Sequence, residues 1–134
     1  KNKQLLFTPP THVLAAFNQA IIEHKKEGGI QGRYKRYSNN CKIICDGMRE
    51  IGFKQLLPND LQAPIIITFM QPEDFNFNQF YDALSQKDFL IYPGKLTIAD
   101  TFRIGCIGNL HEQDMHDTLE AIKEVLKELK FRIQ

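Results

Sequence analysis

Arg103 is the residue whose type and setting point most directly to chemistry. It lies in "TFRIGCIG" (101–108), one guanidinium among apolar neighbours, followed by Gly105 and Gly108. In an extended strand successive side chains point to opposite faces. Phe102 and Ile104 therefore face a core, and Arg103 faces either solvent or a site. A guanidinium is a planar fork that grips carboxylate, phosphate or phosphonate through two parallel hydrogen bonds. The two glycines let a backbone or a ligand approach closely. Pattern alone leaves the solvated and the functional reading of Arg103 both open.

The other candidates are weaker. Lys95, in "YPGKLT", has the amine that a Schiff base needs, but a solvated turn lysine explains it equally well. The same stretch is no phosphate loop, because the earlier glycine is missing and no helix follows. His12, His24, His111 and His116 are scattered and suit surface or packing positions. Cys41 and Cys45 sit four apart at helical spacing; with Cys106 they make an odd count, as expected of reduced, packed thiols in a cytoplasmic protein. No zinc-like spacing joins them to a histidine, so no metal site is expected. A formal net charge of +1 gives no electrostatic reason for nucleic acid or an anionic membrane. No apolar run is long enough for a helical membrane span, and the N-terminus has no signal-peptide pattern.

The elements that must hold these residues follow from periodicity. "TPPTHVLAAFNQAIIEHKKEGG" is a helix that Thr8 is expected to cap, with Pro9 at its first position and Gly28-Gly29 ending it. Val13, Phe17, Ala20, Ile21 and His24 share one side of it. A second helix carries Ile30, Tyr34, Tyr37, Cys41, Ile44, Met48 and Ile51 at steps of three and four, and Gly52 closes it. "FKQLL" is a short strand candidate. "PIIITFM", nearly continuous in apolar character, is expected to be a central strand. A helix follows with Phe77, Phe80, Tyr81 and Leu84 inward. "FLIYP" and "TFRIGCI" are two more strands, joined by the turn around Pro93-Gly94. A final helix over about 111–130 turns Met115, Leu119, Ile122, Val125 and Leu129 inward. Too few helices separate the strands for a parallel sheet. The expected fold is α+β: a small, mainly antiparallel sheet with helices packed on one face, as a single domain over 1–134.

The motifs "FTPPTH", "EGGIQGRYKRY", "LQAPIIITF" and above all "YPGKLTIADTFRIGCIG" resemble the 2-aminoethylphosphonate–pyruvate transaminases, a branch of the class V pyridoxal phosphate aminotransferases. The resemblance covers nearly the whole chain, in order. It implies the small C-terminal domain of a fold type I aminotransferase, preceded by its lead-in helix. It implies that Arg103 grips the substrate's anionic group, the phosphonate of the amino donor and then the carboxylate of pyruvate or alanine. It also implies that Thr8 reaches the cofactor phosphate of the neighbouring subunit in a homodimer. The family's Schiff-base lysine and its pyridine-pairing aspartate would precede residue 1, so no catalytic residue is assigned here and Lys95 is not that lysine. The chain opens "KNKQ" without a methionine, as expected of a piece of a longer protein that is inactive by itself. Alternatives are an alanine– or serine–glyoxylate aminotransferase of the same class, or a free-standing small-ligand binding module.

Overall fold

The structure is a computed structural model and describes residues 7–94 and 99–133. Lys95 lies outside the described residues. The chain divides into two compact units, Lys1–Tyr34 and Lys35–Gln134.

The first unit holds helix α1 (Thr11–Lys26) and the opening turns of helix α2 (Gly29–Ile51). Thr8 does not cap α1. The N-cap position is Pro10, which makes no side-chain cap bond. Two consecutive prolines lack N–H groups and delay the start of the helix beyond the reach of Thr8. Gly28 and Gly29 end α1 as expected, both at positive φ (96° and 65°), which favours glycine. None of the α1 residues is buried; Val13 and Phe17 stand exposed, and Ile21 and His24 are half-buried.

The second unit carries the core. Beyond Asn40, α2 buries Cys41, Ile44, Cys45 and Met48, whereas Ile30 and Tyr34 on its early turns are exposed. Strand β1 (Ile66–Met70) is followed by helix α3 (Phe77–Ser85), strands β2 (Tyr92–Pro93) and β3 (Thr101–Gly105), and helix α4 (Glu112–Glu128). Asn76 caps α3 by accepting from the Gln79 N–H at 3.1 Å. At the start of α4, the Asp114 carboxylate accepts from the His111 N–H at 2.7 Å.

The sheet is antiparallel with order β1-β3-β2. The expected central place for "PIIITFM" is thus corrected: β3 is central and β1 is its neighbour. What mimicked a central strand is cover along the far edge. The Leu56 N–H donates to Thr68 O (2.9 Å) and the Met70 N–H to Lys54 O (2.8 Å). "FKQLL" forms only a bridge, Gln55 to Phe69, rather than a full strand. β1 also alternates, with Ile67 and Phe69 buried and Ile66, Thr68 and Met70 half-buried.

Helices α2, α3 and α4 supply the core on one face of this sheet, as expected. Phe102 is the hub. Its ring centroid lies 5.2–6.0 Å from those of Phe53, Phe69, Phe75, Phe77 and Phe80. On α4, Leu126 is buried, while Leu129, expected inward, is 37% exposed just past the helix end.

Candidate functional site

The site begins with β3. Phe102 and Ile104 are buried and Arg103 between them is half-buried, so the alternation holds and Arg103 lies on the face opposite the core. Thr101 shares that parity yet is buried, because the β2 end closes over it. The Gly94 N–H donates to Thr101 O at 2.8 Å. A Cβ on Gly94 would stand 1.9 Å from Thr101 Oγ1, so only glycine permits this approach.

Arg103 Nε donates to the carbonyl of Pro93 at 3.2 Å. This bond occupies the Nε edge and leaves Nη1 and Nη2 to receive an anion end-on. Among the described residues no carboxylate pairs with Arg103. The register sets Tyr92 of β2 on one side of Arg103 and Thr68 of β1 on the other.

Past β3 the chain turns at Gly108 (φ 92°) and is held from α2. Asn40, 1% exposed, donates through Nδ2 to Cys106 O (3.2 Å) and Leu110 O (2.9 Å). Arg36 Nη1 donates to Gly108 O (2.8 Å) and Leu110 O (2.6 Å), and its guanidinium lies over the Tyr37 ring at 5.0 Å. The Tyr37 hydroxyl accepts from the Gly108 N–H at 3.3 Å. Periodicity places Tyr34, Tyr37 and Cys41 on one helix face but does not reveal this clamp. A polar Asn40 beside the buried Cys41 was the available signal.

The remaining candidates do not assemble into a site. Thr8 is exposed, and the structure brings no other sequence-assigned site residue into its unit. His12 is exposed on α1, His111 starts α4, and His116 sits 3.8 Å from Glu112 on the α4 surface. Cys41, Cys45 and Cys106 are buried free thiols, with 3.9 Å between the sulfurs of Cys41 and Cys45. Hydrogen bonding to the Cys41 sulfur, and then burial, push the Cys45 and Cys106 thiols well above the ordinary range. Among the described residues no three ligating side chains are grouped to hold a metal ion. An open cleft of about 710 Å³ beside Arg49, Lys54 and Gln55 offers no acid–base pair.

A guanidinium on this face has the chemistry to bind an anionic group. No family profile matches the chain. The curated relatives, however, are specific. The chain is 46% identical over 132 residues, 97% of its length, to the 2-aminoethylphosphonate–pyruvate transaminases of Pseudomonas putida (strain W619) and Pseudomonas fluorescens. The enzyme of that name from Pseudomonas aeruginosa is 45% identical over the same span. It is similar, almost end to end, to one part of these transaminases. That part is 36% of their length. Among solved structures, pyridoxamine–pyruvate aminotransferase from Mesorhizobium loti superposes with a TM-score of 0.85 at 16% identity, over 98% of this chain and 34% of that one. Alanine–glyoxylate aminotransferase from Nostoc sp. gives 0.83 at 18% identity, over 92% and 33%. At such identities these likenesses establish the fold alone. That fold is the one expected, the small domain of a fold type I aminotransferase. The glyoxylate alternative is not favoured, since its support is a shared fold at low identity.

No helix among the described residues is long and apolar enough to cross a membrane.

Proposed function

We propose that this chain is the small domain, with its lead-in helix, of a cytoplasmic, homodimeric transaminase that moves the amino group of 2-aminoethylphosphonate to pyruvate, giving phosphonoacetaldehyde and alanine. The observation that carries this reading is the 46% identity along 97% of the chain, joined to an arginine on the sheet face opposite the core that, among the described residues, pairs with no carboxylate.

The reaction needs pyridoxal phosphate, which supplies the carbonyl that carries the amino group and the electron sink for the carbon beside it. The residues present fit a part in holding it. The Thr8 hydroxyl is exposed and makes no cap bond, so it can donate to a phosphate oxygen of a cofactor held mainly by the neighbouring subunit. Arg103 takes the phosphonate of the donor in one half-reaction and the carboxylate of pyruvate in the other. Both anions accept the same two Nη–H bonds. The Pro93 carbonyl fixes the direction in which that fork points. Closing the domain over a substrate would remove water from this pair and strengthen it.

Substitution of Arg103 in the transaminase carrying this chain tests the reading. Arg103→Ala is expected to lower kcat/KM for both substrates by roughly 2–5 kcal/mol of transition-state binding, because a substrate anion in the closed site loses its guanidinium partner. Arg103→Lys should restore only part, since a point charge does not reproduce the fork. The melting temperature should hardly move. Unchanged turnover in Arg103→Ala, with a lowered melting temperature, would make Arg103 structural and remove the proposal.

A further inference from the structure

We infer that Tyr92 and Thr68 form, with Arg103, a three-residue cross-strand row whose hydroxyls select a phosphonate over a carboxylate; this rests on the reading of Arg103 as the anion-binding residue. The register is the first support. Tyr92 and Thr68 are each directly opposite Arg103, one from each neighbouring strand. Directly opposed residues share a face, with Cβ atoms about 4.5–5.5 Å apart. Burial agrees. Thr68 lies between Ile67 and Phe69, both fully buried on the core side, and Tyr92 follows the buried Ile91. Tyr92 is itself 54% exposed. The second support is the state of the polar atoms. Among the described residues, neither the Tyr92 nor the Thr68 hydroxyl has a hydrogen-bond partner. Gly105, next along β3 on this face, has nothing within 4 Å of where a Cβ would stand, so the row is unobstructed on that side.

The chemistry follows from the shapes of the two anions. With Nε committed to Pro93, the fork offers two N–H bonds in one plane. A carboxylate has two oxygens in a plane and is satisfied by them. A phosphonate is tetrahedral, and its third oxygen must leave the guanidinium plane, toward one or other flanking residue. A hydroxyl waiting there donates to it; for a carboxylate that hydroxyl has no oxygen to meet. Arg103 thus serves both half-reactions, and the flanking hydroxyls serve the amino donor.

The test uses the holoenzyme carrying this chain, with calorimetric binding of ethylphosphonate and propionate, which bear the two anionic groups without the amine. Tyr92→Phe combined with Thr68→Val is expected to raise the ethylphosphonate dissociation constant about tenfold relative to that of propionate, the loss of a charge-assisted hydrogen bond. Thr68→Ser, which keeps its hydroxyl, should leave the ratio as it was. An unchanged ratio in the double variant overturns the inference, including the case where both anions weaken equally through misfolding. Arg103→Ala separates the two levels. If it weakens both anions while the double variant leaves the ratio unchanged, the reading of Arg103 stands and only the row is rejected. If it weakens neither, that reading falls and takes the row with it.

Discussion

At Arg103 and Phe102, adjacent side chains have opposite tasks because a strand sends them to opposite faces. Phe102 is fully buried at the centre of five other rings, while Arg103 is half-buried with its Nε on one backbone carbonyl. Truncating them should separate stability from function. Phe102→Ala is expected to cost about 3–5 kcal/mol of folding free energy, measured by denaturant unfolding, through lost burial and a cavity. Arg103→Ala should leave that midpoint near its original value. Thr8 gives a similar separation for a different reason. As a helix cap it would contribute about 1 kcal/mol, but it makes no cap bond here. Thr8→Ala is therefore expected to leave melting unchanged and to weaken pyridoxal phosphate binding roughly tenfold, the value of one hydrogen bond to a charged acceptor. A lowered melting temperature with unchanged cofactor affinity would return Thr8 to the cap role.

Among the elements, α2 does more than fill the core, since its polar residues hold the exit of β3. The Cys106 N–H continues the β-ladder by donating to Ile65 O at 3.0 Å, while Asn40 binds the Cys106 carbonyl from the other element. The two contacts fix the strand end three residues from Arg103. Asn40→Ala would orphan the Cys106 carbonyl, whereas Leu110 O would keep Arg36. The expected cost is about 1–3 kcal/mol in unfolding experiments. Hydrogen exchange should show faster opening at 106–110 than in α4; uniform acceleration along the chain would mean that no local clamp exists.

For the molecule as a whole, the Cys45 and Cys106 thiols tie stability to pH. Cys45 and Cys106 keep their protons in the fold well beyond the ordinary thiol range, through hydrogen bonding to Cys41 and burial. In the unfolded chain they ionise at about pH 8.5. Above that pH the unfolded state has fewer bound protons, so stability falls as pH rises, by up to about 1.4 kcal/mol per unit for each thiol. Denaturation midpoints should decline between about pH 8.5 and 10. A Cys45→Ala/Cys106→Ala variant, less stable at neutral pH, should show a flatter profile there. An equally steep decline in that variant would assign the alkaline loss to other groups.

Periodicity in the chain by itself determined the helices, the antiparallel α+β class, and the parity of Arg103 against Phe102 and Ile104. These are local properties: side chains three to four apart share a helix face, and alternate residues share a strand face, whatever the partner. The motifs around Arg103 and Thr8 also located the family resemblance before any coordinates. Only the tertiary structure decided that β3 rather than β1 is central, because strand order depends on which edge the 54–56 segment covers. It likewise placed Thr68 and Tyr92 beside Arg103, from positions 35 residues before it and 11 before it in the chain. It denied Thr8 its cap and gave Asn40 two carbonyls to hold. Register and clamping join residues far apart in sequence, and no local spacing encodes which of them will meet.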